Sequence, residues 1–216
     1  YQMDTTYIKT LVSITGERNV LTGKDQVLDY LKDETPETVR PEPSVDMVVI
    51  KPANTSEIAK VLRFASEKRI CVFVRGGGTG LVGGSIPSRD GLILSLERMK
   101  RLEIDKDNLM AVAEAGVTLA ELIEKARESG LQFPLHPGDE TAQIGGLAAT
   151  NAGGANAIRY GVMRNYIKGL EVVLISGKIL SLGGKLQKNN VGYDLMNLII
   201  GSEGTLGVVT KAIVRL

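Results

Sequence analysis

Between Val74 and Ser85 the chain reads Val-Arg-Gly-Gly-Gly-Thr-Gly-Leu-Val-Gly-Gly-Ser, directly after the apolar run Ile70-Cys71-Val72-Phe73-Val74. Glycines admit positive φ and let a ligand approach the main chain, so several N–H groups can converge on one point. Such a concavity suits an anion, a phosphate above all; the bland alternative is a flexible hairpin loop. Gly78, Gly80 and Gly83 satisfy G-x-G-x-x-G, but that spacing marks a dinucleotide site only where a helix follows. Here Ile86-Pro87-Ser88-Arg89-Asp90-Gly91 follows, a turn-rich segment without helical period, and then Leu92–Leu96 as the next strand. Too few residues intervene for a crossover helix, which needs at least about 10–12. The lysine of a G-x-x-x-x-G-K-[ST] loop is also missing. These residues predict a phosphate cradle made by a loop alone, with no helix behind it.

Two later clusters share this character. In the first, Pro137-Gly138-Asp139-Glu140-Thr141 leads through Ile144-Gly145-Gly146 to Asn151-Ala152-Gly153-Gly154, with small residues at nearly every position from Gly145 to Ala155. Small side chains let a flat, bulky group lie against the main chain. A tight helix-packing surface would explain Ala148 and Ala149 but not the doubled glycines. In the second, Gly192-Tyr193-Asp194-Leu195 precedes Gly201 to Thr210, where Gly204 and Gly207 bracket a turn that passes straight into a strand. The single histidine, His136, is more often structural than catalytic at such a position. Without a histidine cluster no His-rich metal site can form, and no metal is expected.

The elements that must hold these clusters are legible in part. Met47–Ile50 reads as a strand, after an N-terminal region from Tyr1 to Pro43 that suggests an outer helix or two and an extended approach. Asn54 with Glu57, and Thr118 with Glu121, have capping-box spacing. The first opens a helix with Ile58, Val61, Leu62 and Ala65 on one face, leading into a buried strand at Ile70–Val74. The second opens a helix running to Ser129, with Gly130 as its C-terminal cap. Strand, helix, strand, glycine loop, strand makes a parallel α/β unit. A polar connection follows Leu96, then strands are expected at Met110–Gly116, Leu170–Leu174, Lys178–Leu182 and Leu206–Leu216, with a hairpin turn at 175–178.

Composition narrows the function classes. The 216 residues carry 26 Lys and Arg against 25 Asp and Glu, a net charge of +1, which offers no field for nucleic acid. Tryptophan is absent. The lone Cys71 allows no disulfide within the chain and fits a reducing compartment as a buried small hydrophobe. No apolar stretch is long enough to span a bilayer and no signal-peptide pattern is present, so the expected location is cytoplasmic or peripheral at a membrane. Because the chain opens on Tyr1, its start is expected to be processed or cut.

Taken together, Arg75 to Ser85, Ile144 to Gly154 with Tyr160-Gly161, and Gly192 to Thr210 resemble the FAD-binding (PCMH-type) domain of the vanillyl-alcohol oxidase and p-cresol methylhydroxylase family. The likeness is greatest to its FAD-linked 2-hydroxyacid dehydrogenases, and it extends from about Val45 to Leu216. It implies an α+β fold of two α/β lobes meeting near residue 105, with non-covalent FAD extended between them. By that resemblance, Gly76, Gly77, Gly78, Thr79 and Gly80 hold the pyrophosphate through N–H groups, helped by Ser85, with Arg75 counted among the cofactor-binding residues. Pro137, Gly138 and Thr141 line the flavin and ribityl chain, and Ile144, Gly145 and Gly146 continue the diphosphate contact. Asn151, Gly154, Tyr160 and Gly161 close the middle of the cleft. Gly204, Gly207, Val208 and Val209 meet the adenosine, while Glu203 shapes the turn. Some relatives carry a flavin-linking histidine where Thr79 stands here. The implied reaction passes hydride from a small 2-hydroxyacid to FAD; a non-redox transferase like alkyl-dihydroxyacetone-phosphate synthase, or an accessory FAD-binding subunit without chemistry, are the alternatives. No residue stands out as the catalytic base. A substrate-covering cap domain, or a partner subunit, is therefore expected to complete the site, with the chain inactive alone.

Overall fold

Met47-Val48-Val49-Ile50 and Leu92-Ile93-Leu94 are apolar at every position, the pattern of strands covered on both faces. The computed structural model describes residues 4–216; of the N-terminal expectation, residues 1–3 lie outside it. Its first half comprises α1 (Thr5–Thr15), β1 (Val20–Leu21), α2 (Lys24–Val27), β2 (Met47–Ile50), α3 (Thr55–Lys68), β3 (Cys71–Arg75) and β4 (Gly91–Ser95). The sheet order is β1-β2-β4-β3, with β4 parallel to both β2 and β3, so the two apolar runs lie side by side in its centre. The Asn54 side chain accepts from the Glu57 N–H, and α3 buries Ile58, Val61, Leu62 and Ala65 as its spacing implies.

One expectation needs correction here. The strand before the glycine loop is not buried: β3 is the edge of its sheet, and Cys71 through Val74 are only half-buried. Cys71 is a partly accessible free thiol. An apolar run of five residues does not distinguish an edge strand from a central one, because the number of neighbours in the sheet is set by the topology and not by the run itself.

The second half comprises β5 (Leu102–Asp105), β6 (Met110–Glu114), α4 (Leu119–Glu128), α5 (Ile144–Ala149), α6 (Ala157–Tyr160), β7 (Ile167–Val173), β8 (Ile179–Gly183), α7 (Met196–Ile199) and β9 (Val208–Arg215). These strands form an antiparallel sheet in the order β5-β6-β9-β7-β8. The Thr118–Glu121 capping box closes in both directions, and Gly130 takes the left-handed conformation after α4. Strand β5 occupies what reads as a polar connection; only Leu102 and Ile104 pack inward, too few to signal a strand.

The result is a mixed α/β fold with two sheets, each with a core. Change from one sheet to the other falls between Ser95 and Leu102. Ala115, Val173 and Val208 of the second half pack into the first core, so the two halves share apolar contact. Among the described residues no helix is long and apolar enough to cross a membrane, and no group of His, Cys, Asp or Glu could hold a metal ion.

Candidate functional site

The glycine loop, parts of the second cluster and the turn from Glu203 to Val209 meet in one cleft between the sheets, whereas Gly192, Tyr193, Asp194 and Leu195 do not line it. The cleft encloses about 1080 Å³ of empty space, open solvent at its mouth included. Gly76, Gly77, Gly78, Thr79, Gly80 and Ser85 line one wall, Pro137, Gly145 and Gly146 the facing wall, and Gly204, Gly207, Val208 and Val209 the floor where β9 begins. No lysine or arginine lines it; its charges are the carboxylates of Asp139 and Glu203. A bound anion there would be held by main-chain N–H dipoles.

No helix follows the glycine loop before β4, as its sequence implies, but the facing wall contains one. Residues Ile144–Ala149 form the short helix α5, and its two glycines do different work. A Cβ on Gly145 would stand 2.6 Å from that of Ala115, whereas one on Gly146 would meet nothing within 4 Å. Gly145 therefore allows α5 to pack against the segment after β6, and Gly146 leaves the cleft open. Close packing thus accounts for Gly145, which the sequence leaves unexplained by that reading.

Gln143, the N-cap of α5, lines the same wall and was missed by the sequence reading. It is 8 % exposed, and its Oε1 is buried with no hydrogen-bond partner. A buried polar atom left unpaired costs about 1–3 kcal/mol, and the described residues supply this oxygen with no donor. Its signal in the sequence is a polar side chain alone in the run Ala142 to Ala149. Thr150 and Glu203 are further wall residues. Glu203 takes φ of 52° and donates its N–H to the Ala149 carbonyl at 2.8 Å, so it shapes the turn while also facing the cleft.

Eight expected residues do not line the cleft. Arg75 is buried behind the glycine loop, donating to the carbonyls of Lys32 at 2.6 Å and Asp29 at 3.2 Å, over the Tyr30 ring. Burial pushes its guanidinium down from the ordinary value. Gly78 has φ of 72°, and a Cβ there would collide with this guanidinium. Arg75 is thus a prop beneath the loop. Ile144 is fully buried in the second core. Thr141 spends its N–H and hydroxyl on Asp139, each at 2.7 Å, and Gly138 continues that turn. Asn151 accepts from the Arg164 N–H, Gly154 packs on the His136 main chain, Gly161 closes α6, and the Tyr160 carbonyl accepts from the Tyr166 hydroxyl. His136 lies off the cleft wall and pairs with Glu140 at 3.0 Å.

Residues 47–183 match the profile of a family described as FAD binding domain. A D-lactate dehydrogenase of Archaeoglobus fulgidus is 54% identical over 187 residues, covering 87% of this chain and 42% of that protein. The glycolate oxidase subunit GlcD of Bacillus subtilis is 42% identical over 208 residues, covering 95% of this chain and 43% of that protein. The chain spans less than half the length of these relatives. Among solved structures, an alkyldihydroxyacetonephosphate synthase superposes with a TM-score of 0.84 at 20% identity, covering 99% of this chain and 40% of that one. At that identity the likeness is one of fold.

Proposed function

Because the chain belongs to the FAD binding domain family, with FAD as its cofactor, we propose that its cleft holds FAD extended between the two lobes of a 2-hydroxyacid dehydrogenase. The observation that carries this reading is the cleft itself: a glycine wall without cations facing a buried, unpartnered Gln143 oxygen. FAD fits such a site. Its diphosphate needs converging N–H donors, and its sugar hydroxyls and ring N–H are donors that Gln143 Oε1 lacks. When bound, the flavin supplies the hydride acceptor.

In this reading Gly76 through Gly80 and Ser85 bind the diphosphate, Pro137 lies along the flavin end, and Gly204 through Val209 receive the adenosine. Gly138 and Thr141 stand beside that flavin end without lining it. Arg75, Ile144, Asn151, Gly154, Tyr160 and Gly161 hold the walls in shape from behind. Thr79 offers no nucleophile to the flavin, so the cofactor is held without a covalent bond. The substrate class follows from the two relatives, whose names give D-lactate and glycolate, both small 2-hydroxyacids. The base for the hydroxyl proton and the cation for the carboxylate come from a cap domain or partner subunit.

Titration of the purified protein with FAD and FMN tests the site. FAD is expected to bind at least about tenfold more tightly, since FMN lacks the groups that β9 would receive and tenfold corresponds to about 1.4 kcal/mol. Acid precipitation is expected to release all the flavin into the supernatant. Equal affinities would remove the adenosine role of Gly204 to Val209, and yellow colour in the pellet would refute non-covalent binding.

A further inference from the structure

The cleft walls belong to different sheets, so something must fix their spacing. Among the described residues, a single hydrogen bond joins residues up to Ser95 with those from Leu102 onward. It runs from the hydroxyl of Thr55, the first residue of α3, to Glu171 Oε1 on β7, at 2.7 Å. Thr210 of β9, itself fully buried, donates its hydroxyl to the same oxygen at 2.9 Å. Lys211 Nζ lies 3.5 Å from Oε2 and balances the charge. Burial pushes the Glu171 carboxyl up, but the hydroxyls of Thr55 and Thr210 and the charge of Lys211 outweigh it and hold the group below its ordinary value.

The position of this contact matters as much as its chemistry. Thr210 directly follows Val208 and Val209, which line the cleft, so the hydroxyl that holds the Glu171 carboxylate stands one residue along β9 from the floor. At Glu171 the pairing of β7 with β9 also shifts register between Glu171 and Val172. On the other side, α3 leads directly to β3 and the glycine loop. The β7–β8 turn packs on α3 too, where a Cβ on Gly177 would come within 2.6 Å of the Ala59 carbonyl oxygen. That contact is one of shape; the directional one is Glu171.

We propose that Glu171 is a positioning residue for the cofactor: gripped by Thr55 from one lobe and Thr210 from the other, its carboxylate fixes the two cleft walls at the spacing FAD spans. The inference rests on the reading that FAD lies between the lobes. Without the grip the free protein samples wider clefts, and apparent affinity falls by the fraction of molecules left in the competent spacing.

The test is FAD binding to the protein, followed by flavin fluorescence, for wild type, Thr55→Val, Thr55→Ser, Glu171→Ala and the double variant. Thr55→Val is expected to raise the dissociation constant about five- to tenfold, the scale of one hydrogen bond to a charged group partly open to solvent. Thr55→Ser, which keeps the hydroxyl, is expected to stay within about twofold of wild type. In the Glu171→Ala background, Thr55→Val is expected to add nothing. Wild type that binds FAD while Thr55→Val binds equally well, with only the apoprotein melting temperature lowered, would overturn the positioning role and leave the cofactor reading standing. Wild type that fails to bind FAD would overturn both.

Discussion

Gly146→Leu is expected to abolish FAD binding while leaving the fold within about 1 kcal/mol of wild type. The two effects separate because of where this glycine stands. It lies inside α5 without a positive φ, so a side chain there meets no backbone strain, and leucine is a better helix former than glycine by about 1 kcal/mol. Its Cβ would meet nothing within 4 Å, so the new side chain projects into the cleft opposite the glycine loop. An increase in dissociation constant of at least about 100-fold, or about 2.7 kcal/mol, is expected from equilibrium titration. Urea unfolding of the apoprotein checks the other half. Gly78 cannot serve in the same experiment. A side chain there would be strained at φ of 72° and would strike Arg75 behind the loop, so loss of binding and loss of stability would arrive together. Unchanged FAD affinity in Gly146→Leu would place the cofactor elsewhere.

Residues 1–216 alone, saturated with FAD, are expected not to oxidise D-lactate or glycolate at an enzyme-like rate. General-base assistance is typically worth about 10²–10⁴-fold, and holding the substrate against the flavin contributes further. The cleft wall provides neither. Its only titratable side chains are Asp139, already engaged with Thr141, and Glu203 at the opposite end from Pro137 in the proposed orientation. His136 pairs with Glu140 off the wall. Anaerobic mixing with either acid should therefore bleach the flavin at least about 100-fold more slowly in this chain alone than when the proposed cap domain or partner subunit is supplied. Equal bleaching would put the base and the substrate site within these residues, with His136 the first to replace.

How much of this was legible in the sequence follows from how local each signal is. The helices opened by Asn54 and Thr118 could be read because an N-cap is a contact among four consecutive residues, although only the Thr118–Glu121 pair closes a full capping box. The glycine loop could be read because its composition has few other uses. Edge and centre could not: Cys71–Arg75 is as apolar as Gly91–Ser95, and only the strand order tells them apart. The roles of Gly145 and Gly146 were equally hidden, since they depend on Ala115, some thirty positions earlier. Arg75 was read with the cleft because it adjoins the loop in sequence; the carbonyls of Asp29 and Lys32 that capture it lie more than forty residues away. Gln143 was missed because an unpaired oxygen is a property of packing, not of residue type.

A crystal structure of the protein with FAD bound is the most direct test of the central claim. The diphosphate oxygens are expected within about 2.7–3.2 Å of main-chain nitrogens between Gly76 and Gly80, with Gln143 Oε1 accepting a hydrogen bond from the cofactor. FAD lying outside this cleft, or crossing it with the glycine loop untouched, would contradict the account.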